Sequence, residues 1–371
     1  MSALSWDEIR ARRVARSHLD ERVPADRLVE VVRDVCGIHA QVMGSAELQL
    51  AARVDGIVQA DVRAALWERR ELVKTWTLRG TLHLHPADEL GLWTAARREV
   101  VGEADHVVEQ LERVDEVVAA IGEALRGREL TREELADAVA AGVGPGPREQ
   151  LASGWGYYLG DAAAAGVLCF GPPRGQKVTF VYPADWVGTW REWEPQEALR
   201  EIARRYAETY GPVTHRQFRE WSTSRSFTPA AAREVFDGIE LPEPERVEPR
   251  PSVHLLPEYD VYVMGFRERD QLVPPAVREQ VAAHGRGRYE GPAGTPFLVI
   301  DGVCAGIWRR KRTAKRIALT VEPARRLTSA ERAGAEAAAE RIGAFLGLEP
   351  VLAIEEAGRG RNGTASRYVP Q

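Results

Sequence analysis

The chain has 371 residues, of which 44% are apolar and 28% are charged, and its formal net charge at pH 7 is −5. This composition is ordinary for a globular protein, and the length allows about two to four domains. No apolar run reaches the roughly 18 residues of a membrane span, and the amino terminus lacks the basic-then-apolar order of a secretory signal. Cys36, Cys169 and Cys304 show no CxxC spacing. This argues against a disulfide framework or a zinc cluster and favours a reducing cytoplasm.

The basic residues are unevenly chosen, because arginine supplies nearly all of the 50 basic side chains. The only lysines are Lys74, Lys177, Lys311 and Lys315. A net negative charge does not exclude nucleic acid, since such binding depends on a basic face and not on the total. Schiff-base chemistry needs an amine nucleophile, so few side chains of this protein are available for it.

The first region is predicted to be mostly helical. Ser5–Glu8 reads as a capping box at a helix start. Ser45 is expected to cap a helix over 46–53, and Asp61 a helix that runs to Glu68. The hydrophobic period then changes, because residues 73–85 alternate and are rich in β-branched and aromatic side chains, with Arg79-Gly80 as a turn. Helices followed by an antiparallel ribbon are typical of a winged helix-turn-helix.

The order of helices followed by a ribbon returns later in the chain, but without a shared sequence motif. We therefore interpret it as a repeated architecture and not as a sequence repeat. The predicted elements are helices from Thr131, over 148–165, from Thr214 to Trp221 and from Thr228-Pro229 to Phe236, and a hairpin over 167–182 whose turn is 171–175.

From about residue 253 the pattern changes to short strands with one long helix. The predicted strands are Val253–Leu256, Val261–Gly265, Phe297–Ile300, Val303–Arg310 and Arg316–Val321, and the predicted helix is Ser329–Phe345. We therefore expect an α+β protein with four parts: residues 1–100, 101–190 and 191–250 as winged-helix units, and residues 251–371 as a barrel-like β domain with a mobile tail from Gly358.

The tripeptide His39-Ala40-Gln41 is the most informative motif. It places two neutral hydrogen-bonding side chains two residues apart in an apolar, small-residue stretch. An unpartnered imidazole or carboxamide is costly in apolar surroundings. The two groups therefore either satisfy each other in a core or form a polar site that orients a water molecule. The residues alone leave both interpretations open.

Several stretches, in their order and spacing, resemble the winged-helix alkylpurine DNA glycosylases of the AlkZ and YcaQ type. They are Ile38–Gln41, Trp76–His83, Gly211–Thr214 with Trp221, Leu255–Asp260, Gly265–Arg269, Val299–Val303 and Gly306–Arg310.

The resemblance implies three tandem winged-helix units in a C shape, a C-terminal β-barrel, and monofunctional removal of alkylated purines from DNA. The family's catalytic pair is Gln-x-Gln or Gln-x-Asp, and His39 departs from it at the first position. The variant resembles relatives linked to self-resistance against DNA-alkylating antibiotics. His39 and Gln41 are then the expected catalytic residues, and the expected lesion is a bulky, cationic N7-alkylguanine. The alternative is a winged-helix regulator without catalytic activity.

The expected partner is double-stranded DNA containing alkylated guanine. We expect the protein to be a monomer and to have no membrane partner. Basic residues at the predicted wing tips and in the densest basic run are candidates for phosphate contacts: Arg79, Arg174, Lys177, Arg309, Arg310, Lys311 and Arg312. His83 and His85 lie on one face of an alternating strand, but no third ligand has recognisable spacing. We therefore expect no metal and no cofactor.

Overall fold

The computed structural model describes residues 4–101, 111–154, 156–188, 190–241, 245–267, 269–284 and 291–356. Its helices are α1 (Trp6–Arg16), α2 (Leu28–Asp34), α3 (Met43–Ala51), α4 (Gln59–Trp67), α5 (Leu90–Val100), α6 (Val114–Leu125), α7 (Arg132–Val143), α8 (Arg148–Ala152), α9 (Leu159–Ala164), α10 (Pro183–Val187), α11 (Pro195–Tyr210), α12 (His215–Ser222), α13 (Pro229–Asp237), α14 (Val261–Met264), α15 (Pro275–Ala283) and α16 (Ser329–Leu346).

Its strands are β1 (Ile38–His39), β2 (Leu72–Trp76), β3 (Leu82–Pro86), β4 (Leu130–Thr131), β5 (Cys169–Arg174), β6 (Lys177–Val181), β7 (Val253–Leu256), β8 (Phe297–Ile300), β9 (Val303–Arg312), β10 (Arg316–Pro323) and β11 (Glu349–Ile354). They form three sheets with the orders β1-β3-β2, β4-β6-β5 and β11-β10-β9-β8-β7. The fold is therefore mixed α+β, as expected. Across the described residues, each helix is too short or too polar to cross a bilayer.

Local signals predicted several helix starts correctly. Capping boxes are present at Ser5, Thr131 and Thr214, where the hydroxyl accepts the N–H of the third helical residue and that residue's side chain accepts the cap N–H. Thr228 caps α13, which has proline at its first position. The β5–β6 hairpin and the strands β7 to β10 also lie where they were predicted.

Two predicted helix caps were wrong. α3 begins at Met43 after an uncapped Val42, and the Ser45 hydroxyl instead donates to the carbonyl of Glu258. α4 begins at Gln59, because the Asp61 carboxylate accepts the Val58 N–H from inside the first turn.

The predicted helix over 148–165 is divided into α8 and α9. Gly156 lies between them with φ +78°, and a side chain there would approach the Trp76 ring to 2.9 Å. The predicted strand Val261–Gly265 is the short helix α14, because the Asp260 side chain accepts the Tyr262 N–H as a cap.

Helices followed by a hairpin occur twice: α2 to α4 precede the β2–β3 hairpin, and α6 to α9 precede the β5–β6 hairpin. The described residues of 191–250 contain α11 to α13 and no strand. Eight of the described elements were not predicted from the sequence: α5, α6, α10, α11, α15, β1, β4 and β11. The tail from Gly358 lies outside the described residues.

One hydrophobic core joins the first region to the C-terminal sheet. It includes Val31 and Leu66 from the amino-terminal helices together with Leu298, Leu319 and Phe345 from the C-terminal region. The segment around His39 therefore lies against residues more than 200 positions away in the sequence, and the site is built from both.

Candidate functional site

His39 lies at the end of β1, in register with His83 of the neighbouring strand β3. The two rings meet edge to face, with centroids 5.2 Å apart. The His39 side chain is only 3% exposed. Its Nδ1 is fully buried without a hydrogen-bond partner, so Nε2 is the nitrogen that a water can reach. His39 is therefore just below the surface and not deep in the core.

Gln41 lies at the surface, two residues after His39. Its Oε1 accepts the backbone N–H of Leu82 at 3.4 Å, and Ala40 N–H donates to the Leu82 carbonyl at 2.7 Å. Both bonds tie the segment to β3. The Gln41 amide nitrogen has no hydrogen-bond partner among the described residues, and its two N–H groups are available to a ligand.

A row of histidine rings continues from His39 into the protein. His83 and His85 are stacked with centroids 5.9 Å apart, and His85 packs on Trp93 at 4.0 Å. Gly37, with φ +90°, accommodates the His85 ring, which a side chain at position 37 would overlap. No cluster of three or more potential metal ligands occurs in the described part of the chain.

Burial keeps this row of imidazoles neutral at physiological pH. Burial, together with the smaller effect of the positive charges of Arg79 and Lys74, lowers the pKa of His39 to about 3. Burial also lowers the pKa of His85 to about 3 and that of His83 well below its usual range. A neutral imidazole has a lone pair that can accept a proton from water, and the lowered pKa makes this lone pair a weak base.

The carbonyl of His39 is fixed by a side chain from α3. Gln49 Nε2 donates to it at 3.0 Å, while Gln49 Oε1 accepts the Val261 N–H at 3.2 Å. Gln49 is fully buried. It therefore joins the backbone of His39 directly to the loop before α14.

That loop carries Tyr259, whose ring stacks on His39 with centroids 5.0 Å apart and planes inclined by 27°. The next residue, Asp260, forms a bidentate ion pair with Arg53 at 2.7 and 2.9 Å, and both side chains are fully buried. Sequence reasoning missed these three residues as contributors to the site. An acidic residue after an apolar run was the available signal, but its partner lies 207 positions away.

Arg79, predicted at a wing tip, is 9% exposed. Its guanidinium donates to the Trp221 carbonyl at 3.1 Å and to the Met264 carbonyl at 3.4 Å. Burial lowers its pKa to about 10. The structure gives Arg79 the role of joining the β2–β3 loop to α12 and α14, and its contact with DNA stays a prediction.

Arg174 and Lys177 lie where predicted, at the β5–β6 turn, and both are exposed. Each has an acidic neighbour in α7: Arg174 donates to Glu134 at 3.1 Å, and Lys177 lies 3.6 Å from Glu133. Exposed ion pairs are weak, so both cations remain available for exchange with a phosphate.

The densest basic run divides into two halves. Arg309 bonds to Glu322 and Glu355, and Arg310 forms a bidentate pair with Glu258 at 2.9 Å for both bonds.

Lys311 and Arg312 complete the run at the β9–β10 turn. Both are exposed, and neither forms an ion pair with a described residue. His39 and Gln41 lie two residues apart at one strand end. Of the other predicted residues, Arg79 is close enough to His39 for its charge to lower the pKa of that imidazole. Arg310 pairs with the residue before Tyr259.

Comparison with known proteins decides the family. The family model described as DNA glycosylase AlkZ-like matches residues 32–345. The chain belongs to the AlkZ-like DNA glycosylase family. The family inferred from the resemblance is therefore confirmed, and so is the prediction of an enzyme of the glycosylase class. A regulator without catalytic activity is not supported.

An AlkZ-like chain from Streptomyces sahachiroi, named as an interstrand DNA cross-link repair glycosylase, is 32% identical over 337 residues, which cover 82% of this protein and 87% of that one. The solved structure of the S. sahachiroi DNA glycosylase AlkZ superposes with a TM-score of 0.77 at 29% identity, covering 96% of this chain and 100% of that chain. The α+β architecture described above is therefore shared with a member of the family.

Proposed function

We propose that this protein hydrolyses the N-glycosidic bond of a cationic N7-alkylguanine in double-stranded DNA and leaves an abasic site. A guanine alkylated at N7 carries a positive charge and departs as a neutral base, so the leaving group needs no strong acid. What remains for the enzyme is to stabilise an oxocarbenium-like sugar and to aim a water at its C1′ carbon. Two neutral groups are sufficient for the second task.

The observation that carries this proposal is the pairing of a neutral imidazole with an available carboxamide at one strand end. His39 Nε2 accepts a proton from the water, and the Gln41 amide orients the same water. Tyr259 has an acidic residue on each side in the sequence. Glu258 is paired with Arg310, and Asp260 is paired with Arg53. They are therefore occupied by partners other than substrate.

We assign the helices and hairpins to three winged-helix units, residues 1–100, 101–190 and 191–250, arranged in a C shape, with residues 251–371 as a barrel-like domain. The third unit has three helices and no hairpin among its described residues, so it lacks the wing of the other two. The two helix–hairpin successions and the similarity to the S. sahachiroi AlkZ structure support this assignment. The site is built within one chain, which fits a monomer. Three buried free cysteines fit the cytoplasm. The relative's name, which refers to interstrand cross-link repair, supports a bulky adduct and a role in base excision repair. A natural-product origin of the adduct and a role in self-resistance follow only from the resemblance of the His39-x-Gln41 motif to such relatives.

The test is incubation with a duplex that carries one N7-methylguanine, followed by alkali, which cleaves abasic sites. Strand breaks at the lesion, accompanied by free N7-methylguanine, are the expected result. Tight binding to one undamaged sequence without any base release would instead indicate a regulator.

We expect no lyase activity, because no lysine is placed to attack the abasic product. Lys74 is the lysine nearest to the pair in the sequence, and burial lowers its pKa to about 8, a value that suits an amine nucleophile. In the sheet, Lys74 of β2 lies opposite Leu84 of β3, and Leu84 lies opposite Ile38 of β1. The side chains of Lys74 and Ile38 are therefore on one face of the sheet, and that of His39, the residue after Ile38, is on the other. Borohydride added during turnover should therefore trap no covalent protein–DNA complex. A trapped complex that is lost in Lys74→Met would contradict this prediction.

Lys311 and Arg312 are expected to contribute more to DNA affinity than Arg309 and Arg310, because the second pair is already bonded to carboxylates. Replacing both Lys311 and Arg312 by alanine should weaken binding to any sequence and reduce the slope of log affinity against log salt by about one for each phosphate that the variant no longer binds. Fluorescence anisotropy over a salt series measures both quantities. The matched control is Arg309→Ala with Arg310→Ala, and an unchanged affinity in the Lys311/Arg312 variant would show that this turn is merely solvated.

A further inference from the structure

Tyr259, which covers His39, has a backbone conformation that a bulky residue rarely adopts. Its φ is +61°, in the left-handed region where an aromatic side chain is an outlier. Such a conformation persists only where the surroundings impose it, and it is concentrated at functional sites. The same residue stacks its ring on His39 at 5.0 Å.

The backbone around Tyr259 is fixed on both sides. Its own N–H donates to the Ala293 carbonyl at 2.7 Å. The following residue, Asp260, is held by the buried pair with Arg53 and also caps α14. These bonds determine where the backbone enters and leaves position 259, and they leave the tyrosine little choice of φ.

The residue before Tyr259 is fixed as well. The carboxylate of Glu258 pairs with Arg310 through two bonds of 2.9 Å, and its carbonyl accepts the Ser45 hydroxyl of α3. Ser45 is buried. Every residue from 258 to 260 is therefore anchored to a different element.

The anchors lead back to His39. Gln49 on α3 bonds to both the His39 carbonyl and the Val261 N–H. The backbone that carries the imidazole and the backbone next to Tyr259 are therefore held by the same helix. A surface loop with no function would not need this many fixed points around one strained aromatic residue.

We propose that Tyr259 is a positioning residue of the glycosylase reaction, whose strained backbone holds its ring on His39 and so keeps the imidazole aligned with the attacking water. The inference rests on the proposed function and adds the group that orients its base. Displacement of a reacting group by about 1 Å costs on the order of 100-fold in rate, so holding one imidazole rotamer has a measurable effect.

The ring also excludes water from one face of His39. Without it, the pKa of His39 should rise from its lowered value toward the ordinary value of about 6.5, because desolvation is the largest cause of the lowering. The titratable or charged groups around His39 are His83, Tyr259, Arg79 and Lys74. The positive charges of Arg79 and Lys74 remain when the ring is removed and keep the pKa of His39 below that ordinary value.

Three variants separate the ring from the backbone. Tyr259→Phe keeps the ring and the strain. Tyr259→Ala removes the ring and keeps the strain, and Tyr259→Gly removes both, since glycine adopts positive φ readily. We expect the glycine variant to melt at a higher temperature than the alanine variant for this reason.

The measurements are single-turnover base release from an N7-methylguanine duplex between pH 5.5 and 8, DNA affinity, and melting temperature. Tyr259→Phe keeps the ring on His39 and should release base faster than Tyr259→Gly, with a rate that is flat over this range. Tyr259→Gly should release base on the order of 10- to 100-fold more slowly with unchanged DNA affinity, and its rate should fall toward the acidic end of this range, because the raised pKa lets His39 become protonated there.

A glycine variant with the wild-type rate and a flat pH profile would overturn the inference, because the ring would then have no effect on His39. A wild type that releases no base would overturn the proposed function instead. The two failures are therefore distinct. Should the alanine variant fail to fold, the comparison of phenylalanine with glycine still decides.

Discussion

Replacing His39 by alanine should lower the single-turnover rate of base release by on the order of 10²–10⁴-fold, the usual effect of removing a positioned base. The reason is that the neighbouring imidazole, that of His83, is not placed to replace it. His83 is buried behind His39, with its Nδ1 3.0 Å from the Thr81 carbonyl. His39→Gln gives the Gln-x-Gln pair that the resemblance implies for the family, and it is expected to retain more activity than His39→Ala.

The Gln41→Ala variant should show a loss in the same direction with little effect on stability, because Gln41 is exposed and makes only one long hydrogen bond to the described residues. His254 provides the matched control for removal of a buried histidine. It is 7% exposed on β7, and burial lowers its pKa to about 3 as well. His254→Ala should affect the melting temperature but not the rate of folded enzyme. A His39→Ala enzyme with the wild-type rate would contradict the assignment of the base.

Replacing Asp260 by asparagine should lower the free energy of unfolding by about 3–5 kcal/mol, because the change leaves the charge of Arg53 buried without its partner. Both side chains are 0% exposed, and the two bonds between them are 2.7 and 2.9 Å long. Urea denaturation followed by circular dichroism measures the change. We expect base release to fall in the same variant, since Asp260 fixes the backbone next to Tyr259.

The control for this variant is Asp55→Asn, which removes an exposed carboxylate bonded to Arg22 at 2.6 Å. Exposed ion pairs contribute about 0–1 kcal/mol, so the free energy of unfolding of Asp55→Asn should be nearly that of the wild type. The double variant Arg53→Met with Asp260→Leu removes both charges and should recover much of the lost stability. Equal stability of Asp260→Asn and Asp55→Asn would contradict the role of the buried pair.

The parts of the fold that were predicted from the sequence are those set by neighbours along the chain. A capping box such as Thr131 with Glu134 lies within one turn, and the β5–β6 hairpin closes through a short turn at Gly175. α11 carried its own signals, with Pro195 at its first position and apolar residues at helical spacing, and was nevertheless missed. α5 offered less, because nearly every one of its residues is buried and no polar face reveals the period.

The remaining features depend on contacts across the chain. α14 was mistaken for a strand because its apolar run is short, and its start is fixed by Asp260, whose partner Arg53 belongs to another region. Likewise, the motif identified His39 and Gln41, but the stacking of Tyr259 on His39 arises only when the C-terminal region packs on the first. Arg79 was predicted to be an exposed cation at a wing tip. The alternating pattern of the strands does not show that α12 covers this loop and accepts a hydrogen bond from Arg79.

The central claim is that the charge on the lesion makes a neutral imidazole and carboxamide sufficient for hydrolysis. Two duplexes test it most directly, one with N7-methylguanine and one with 7-methyl-7-deazaguanine, which has the same shape and no charge. Base release from each is measured under single-turnover conditions with the wild type and with the His39→Ala, Gln41→Ala double variant. We expect the wild type alone to release the cationic base and neither enzyme to release the neutral one. Release of both bases at similar rates, or an active double variant, would contradict it.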